Sequence, residues 1–386
     1  MQGKLDYLHI KLFDVISPSS LDASCTGVVT TEDTSKGALA PPRSSLLPTP
    51  QLWRRMLQNS GVAIIGSGSA VPVNCLSNQA LSELVETSDE WIATRTGIRS
   101  RRLASAEESL HAIATQASQN AIAMAGITPL DIDLIILATS SPDDLFGSAC
   151  QIQAALGATQ AVAFDLTAAC SGFVFGLVTA AQYIRTGVYQ NILLVGADVL
   201  SRWVDWQDRR TCVLFGDGAG AVVMQASPRD RLLGFELKSD GTQHQCLNLE
   251  YQARSHSLTE DVNVAQGAYR PIAMNGKEVY RFAVQRVPEV IDKALFRAHL
   301  NVEQIDWLLL HQANQRILDA VAERLHIPAE KVISNLAHHG NTSAASIPLA
   351  LDHAVRADQI KSGDIIAASG FGAGLTWGAA IFEWGN

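Results

Sequence analysis

A chain of 386 residues, 47% hydrophobic and 17% charged, is long enough to bury a large core in two domains or one duplicated one. Its net charge of −9 gives no reason to expect a nucleic-acid partner. The six cysteines form no Cys-x-x-Cys pair, which excludes the usual zinc or disulfide framework. No apolar run reaches the roughly 18 residues of a membrane span, so a soluble protein of a reducing compartment is expected.

Residues 1–60 are rich in Ser, Thr and Pro and lack hydrophobic periodicity, so they read as a disordered, non-catalytic extension. Asp6, Asp14, Asp22, Glu32 and Asp33 are more acid than a transit peptide usually carries. The expected location is cytoplasmic, or the plastid stroma if the extension is such a peptide.

The folded part opens with a strand at Val62–Gly66 and a turn at Pro72. Helices are predicted at Asn78–Glu86, from an N-cap at Ser88 or Asp89, and over Ser109–Ala125 up to Gly126. Leu134–Ala138 reads as a buried strand, Cys150–Leu156 as a helix, and Val162–Leu166 as a short buried strand. After a turn of small residues, Gly172–Ile184 reads as a helix with almost no polar face, which places it inside the protein. Cys170 thus sits where a strand hands over to a buried helix N-terminus. The dipole and unpaired N–H groups there favour an anion, so the thiol is expected to ionise below its free value of ~8.5. Most buried cysteines act as small hydrophobes; position and neighbours make this one a nucleophile. Beyond the strand at Ile192–Val195, the glycines of Phe215–Gly220 join two strands and precede no helix. They read as close backbone packing, not as a phosphate loop.

The second half repeats the first. Residues 121–137 align without a gap on residues 294–310, an offset of 173, and the same offset lays 192–195 on 365–368. Strands alternating with helices in two copies predict an α/β fold of two similar halves, 61–226 and 227–386. Equivalent strand ends and turns should meet near a pseudo-twofold axis, bringing Cys170, His311 and Asn341 to one cavity.

Four segments now carry a resemblance: Thr167-Ala-Ala-Cys-Ser-Gly-Phe173, His311-Gln-Ala-Asn314, His339-Gly-Asn-Thr-Ser-Ala-Ala-Ser346 and Phe371-Gly-Ala-Gly-Leu-Thr-Trp-Gly378. With Ser88–Arg99 and Phe215–Gly220, they resemble the signatures of β-ketoacyl-acyl-carrier-protein synthase III, of the thiolase superfamily, over about residues 61–386. The resemblance implies a thiolase-like, duplicated five-layered α/β/α/β/α fold and a homodimer. It also implies the condensation of acetyl-coenzyme A with malonyl-acyl-carrier protein that initiates fatty-acid synthesis, with no cofactor beyond the thioester substrates.

The residue types suit that chemistry. A thiolate at Cys170 can take an acyl group from coenzyme A. The resemblance gives the oxyanion donors as the backbone N–H groups of Cys170 and Ala373, with Ala373 where the family usually has Gly. Decarboxylation of a malonyl thioester makes an enolate that two neutral donors, His311 Nε2 and Asn341 Nδ2, can stabilise, and Phe371 supplies an apolar surround. Taken singly, His311 would be a satisfied core histidine and Asn341 a helix cap. By resemblance, Trp91, Arg95 and Arg209 hold coenzyme A, and Gln312, Arg316 and Arg281 dock the carrier protein. Phe146 closes the acyl pocket of the partner subunit. Three alternatives stay open: a related thiolase-superfamily synthase using another acyl starter in secondary metabolism, a papain-type Cys-His-Asn hydrolase, and a non-enzymatic scaffold.

Overall fold

Residues 61–385 are described in this structure, a computed structural model, and the extension expected at 1–60 lies outside them. Two five-stranded sheets form the frame. In the first the order is β1 (Gly61–Ala70), β5 (Gly218–Ser227), β4 (Asn191–Asp198), β2 (Leu134–Ala138) and β3 (Val162–Leu166). In the second it is β6 (Leu232–Ser239), β10 (Thr376–Glu383), β9 (Ile365–Gly372), β7 (Trp307–Leu310) and β8 (Val332–Ile333). Strand directions match position by position: β2 runs parallel to β3 and β4, β7 parallel to β8 and β9, and the remaining pairs are antiparallel.

Helix α1 (Asp89–Thr96) precedes six that cover these sheets in layers, α2 (Leu110–Ala125), α3 (Ala149–Leu156), α4 (Gly172–Arg185), α5 (Gly276–Ala298), α6 (Gln315–Arg324) and α7 (Ser346–Arg356), and it packs against one of them, α6. α4 and α7 lie between the sheets. Phe173, Leu177 and Ile184 of α4, with Ile347 and Leu351 of α7, share one core with Ile136 and Leu194 of the first sheet and Leu309 and Ile366 of the second. That explains the missing polar face of α4, which meets apolar strands on both sides. α2 and α3 cover the outer face of the first sheet, with Ile113, Ile122 and Ile152 on Ile135, Leu193 and Val223. α5 and α6 do the same for the second, with Ile291 and Leu318 on Leu308 and Ile381. Each of these side chains contributes about 1.5–3 kcal/mol by leaving water. The result is the thiolase-like five-layered α/β/α/β/α arrangement.

Three local readings differ from expectation. The helix from Asn78 stops after one turn at Leu81, capped by Ser77. The Phe215–Gly220 segment leads into one strand, β5, instead of joining two; close packing is nevertheless its role, since a Cβ on Gly216 would lie 2.2 Å from the His339 carbonyl oxygen. β3 is an edge strand with Val162 half-exposed at 50%, not a buried one. Its apolar composition cannot reveal that its outer edge has no neighbouring strand among the described residues.

Candidate active site

Each half carries a one-turn helix directly before its central helix: Ala169–Ser171 before α4 and Ser343–Ala345 before α7. Both begin on a left-handed residue that is not glycine, Ala169 at φ 47° and Ser343 at φ 51°. Such backbone costs about 1–3 kcal/mol and persists where its surroundings over-determine it. Here the two turns face each other, and the Ser343 hydroxyl lies 3.3 Å from the Cys170 sulfur. Gly372 passes so close that a Cβ on it would sit 2.7 Å from the Cys170 nitrogen, which brings the Phe371–Gly374 loop against the nucleophile.

Cys170 is buried, 8% exposed, and lines a cavity of about 630 Å³ with His311, Asn341, Phe371, Arg95 and Arg316. The depressed thiol pKa expected from the helix N-terminus is not found. Burial pushes the Cys170 thiol up to about 12; the Ser343 hydroxyl opposes that rise and the nearby Asp198 carboxylate adds to it. A helix N-terminus carries only about half a charge, too little to outweigh full desolvation beside an anion.

His311 follows the end of β7, and its Nδ1 lies 2.7 Å from the Ser346 hydroxyl oxygen. That oxygen already accepts the Gln312 N–H at 3.3 Å. Among the described hydrogen bonds, Nδ1 is the acceptor left for the Ser346 proton. Ser346 therefore donates to Nδ1 and leaves the proton of the neutral ring on Nε2. Burial holds His311 down at about 3, so the ring stays neutral at working pH. Phe371 packs edge-on against it, ring centroids 5.3 Å apart. Asn341 is held through its backbone, which bonds Leu214 O at 2.9 Å and Gly216 N at 3.0 Å. Its Oδ1 accepts the Ser343 N–H at 2.9 Å, and this fixes the amide so that Nδ2 is the donor left for the cavity. The site thus offers two neutral N–H donors beside one sulfur.

Family models match this chain at residues 164–241, for 3-oxoacyl-[acyl-carrier-protein] synthase III, and at residues 295–384, for the C-terminal part of the same synthase. The beta-ketoacyl-[acyl-carrier-protein] synthase III of Nostoc sp. is 74% identical over 330 residues, covering 86% of this chain and 100% of the relative. That of Acaryochloris marina is 70% identical over 325 residues, 84% of this chain and 98% of the relative. The crystal structure of the Aquifex aeolicus synthase III superposes with a TM-score of 0.77 at 43% identity, over 84% of this chain and 100% of that one. A priming β-ketosynthase from the R1128 polyketide pathway follows at 34% identity, with a TM-score of 0.78 over 85% of this chain and 98% of that one. The chain belongs to the 3-oxoacyl-[acyl-carrier-protein] synthase III family.

For this synthase III chain the remaining expected site residues divide. Arg95 and Arg316 line the cavity, and Arg316 also donates to Thr94 O at 3.0 Å. Trp91 has the Arg95 guanidinium 4.7 Å and the Arg209 guanidinium 4.9 Å from its ring centroid. A planar ring held between Trp91 and Arg209 needs two stacking distances, roughly 7 Å, so Arg209 must swing out to admit one. Arg281 pairs with Glu278 at 3.0 Å on the exposed side of α5. Phe146 is fully exposed and does not line this chain's cavity. Ala373 has no left-handed backbone, so replacing the usual Gly introduces no strain; Gly374, at φ 127°, holds the conformation that needs glycine.

One assignment is corrected. Gln312 is fully buried, with Nε2 donating to Leu310 O at 2.7 Å and Oε1 accepting the Asn335 N–H at 3.2 Å. It ties the ends of the second sheet together and offers no surface to a carrier protein.

Sequence reasoning gave no role to Ser343, Ser346 or Asp198. The two serines lie inside the His339–Ser346 motif, where their spacing does not show that they orient Asn341 and His311. For Asp198 the signal was a lone acid closing the apolar run of β4.

Proposed function

We propose that this protein is a β-ketoacyl-acyl-carrier-protein synthase III, an acyltransferase that condenses acetyl-coenzyme A with malonyl-acyl-carrier protein and so initiates fatty-acid synthesis. Cys170 attacks the acetyl thioester. The C–S bond to coenzyme A breaks, and the backbone N–H groups of Cys170 and Ala373 receive the transient oxyanion. Malonyl thioester then loses carbon dioxide. The electron pair of the broken C–C bond is held as an enolate whose oxygen accepts from His311 Nε2 and Asn341 Nδ2. The enolate carbon attacks the acetyl group and expels Cys170.

The observation that carries this reading is the charge state of the two donors. An imidazole held neutral by burial and by Ser346, beside an amide oriented by Ser343 N–H, suits an enolate oxygen. A papain-type hydrolase needs an imidazole that takes the thiol proton and holds it as imidazolium beside the thiolate; burial holds His311 neutral instead, which disfavours that alternative. Identity of 74% to a synthase III against 34% to a polyketide priming enzyme favours the fatty-acid starter over the secondary-metabolite reading.

Trp91, Arg95 and Arg209 receive coenzyme A by cation–π and phosphate contacts, and Arg316 and Arg281 meet the acidic carrier protein. The enzyme acts as a homodimer in the cytoplasm, each Phe146 entering the partner's site. The open edge of β3, the exposed Phe146 and Leu145, and the tie from Asp165 on β3 to the N–H groups of Ser148 and Ala149 support that association. Among the described residues no helix is long and apolar enough to cross a membrane. Incubating the pure protein with acetyl-coenzyme A and malonyl-carrier protein tests the reading: acetoacetyl-carrier protein and carbon dioxide are expected, and free acetate without condensation would overturn it.

A further inference from the structure

Asp198 closes β4, the centre of the first sheet, and is wholly buried. A carboxylate so placed is ordinarily matched by a cation, yet none pairs with it among the described residues. Its Oδ1 accepts three neutral donors, the Thr139 hydroxyl at 3.1 Å, Ser140 N–H at 2.8 Å and the Ser141 hydroxyl at 2.8 Å. Its Oδ2 accepts the Ala344 N–H at 3.1 Å, and the Ser343 hydroxyl is a further side-chain donor that stabilises the carboxylate. The same hydroxyl lies 3.3 Å from the Cys170 sulfur. Neither Asp198 nor Ser343 lines the substrate cavity; both stand behind the nucleophile.

A serine hydroxyl has one proton and two lone pairs. Between a thiol and a carboxylate it accepts from S–H and donates to the carboxylate. Between a thiolate and a carboxylic acid the chain reverses, and it accepts from the acid and donates to sulfur. We propose that Ser343 and Asp198 form a proton relay behind Cys170, through which the thiol proton passes to Asp198 Oδ2 when Cys170 is acylated. The crowding of three donors on Oδ1 leaves Oδ2 as the oxygen that can carry it.

The relay answers a question the cavity leaves open. His311 accepts from Ser346 at Nδ1 and holds its own proton on Nε2, so it has no lone pair to offer the thiol. With the relay the balance closes. The thiol proton moves to Ser343 oxygen as the Ser343 proton moves to Asp198, leaving Cys170 as thiolate. Attack forms the new thioester, and coenzyme A leaves as a thiolate that takes a proton from water. Asp198 stays neutral through the acyl-enzyme. When condensation expels Cys170, Asp198 returns the proton through Ser343. One proton is consumed per turnover, as decarboxylative condensation requires. Moving the proton to Asp198 also removes the like charge that opposes a thiolate at Cys170. Asp198 acts through Ser343 and is a positioning residue for the proton, not a group that touches substrate.

This inference rests on acyl transfer at Cys170, and the two fail separately. Whether Cys170 is acetylated at all tests the transfer; the pH dependence of its rate tests the relay. The measurement is single-turnover acetylation by acetyl-coenzyme A, read by intact mass between about pH 6 and 9. The native enzyme should be nearly independent of pH in this range. Asp198→Asn should be roughly a hundredfold slower near pH 7, the lower end of what a lost proton acceptor costs. It should then gain about tenfold per pH unit as hydroxide strips the thiol directly. The sign is diagnostic, because simple charge repulsion predicts that neutralising Asp198 helps the thiolate form. Ser343→Ala should behave like Asp198→Asn and guards against misfolding. It removes one hydroxyl, keeps the N–H that holds Asn341, and places alanine in the left-handed turn that Ala169 already tolerates in the first half. Iodoacetamide alkylation of Cys170 should show the same change of slope. Variant rates that run parallel to the native profile, or that match or exceed it near pH 7, overturn the relay.

Discussion

The two halves share a strand order, a left-handed turn and a central helix, yet they have divided the chemistry between them. The first half supplies the sulfur of Cys170 and the buried acid Asp198; the second supplies His311, Asn341 and the serines that orient them. They differ at the sheet edge too. The first sheet ends on the five-residue β3 with Val162 half-exposed, and the second on the two-residue β8. Duplication of a frame therefore does not duplicate a site. A pseudo-twofold axis brings equivalent turns together, and a single pocket between them lets each copy specialise.

The widest test of that division separates the half-reactions. Cys170→Ala should lose acetylation entirely and keep some malonyl decarboxylation. Asn341→Ala should still accept one acetyl group, but fall in condensation by roughly 10²–10³, the usual effect of losing one oxyanion donor. Equal loss of both steps in a folded Asn341→Ala protein would show that the halves are not functionally divided.

A smaller effect is expected one bond further out. Ser346→Ala removes the donor that keeps the His311 proton on Nε2, so the ring is free to change tautomer. Condensation should slow about three- to tenfold, corresponding to a hydrogen bond of about 1 kcal/mol, while acetylation of Cys170 is unchanged. A matching fall in acetylation would mean that His311 serves the first half's step as well.

The difference in sheet edges is probed by Val162→Lys combined with Phe146→Asp. The native protein should run near twice 41.4 kDa and the double variant as a monomer, because a charged side chain blunts an open edge. An unchanged mass would place the association elsewhere.

The mildest contrast is in acid. Burial and the neighbouring His353 hold His339 down at about 4, whereas an unfolded histidine titrates near 6.5. Between those values the unfolded chain binds the extra proton, so His339 lowers stability as pH falls from 6.5. The His339→Gln protein should lose roughly 2 kcal/mol less than the native one between pH 7 and 5, by urea unfolding. Equal losses would show that His339 does not carry this sensitivity.

The sequence by itself determined the alternation of strands and helices, the 173-residue repeat and the buried character of α4. Each of these follows from local periodicity or from self-similarity along the chain. It also determined which residue types face one another, since Cys170, His311 and Asn341 stand at equivalent strand ends and turns of the two copies. Three things were decided only by the tertiary structure. Thiol acidity depends on total burial and on Asp198, which the end of another strand of the same sheet brings close to the turn that suggested a low pKa. The buried position of Gln312 depends on the carbonyls of Leu310 and Ile333 converging on its amide. The orientation of the donors depends on Ser346 and on the Ser343 N–H. Spacing along a chain specifies which face or turn a side chain belongs to. Desolvation and hydrogen-bond direction are set by atoms distant in sequence, and these emerge only when the halves close on each other.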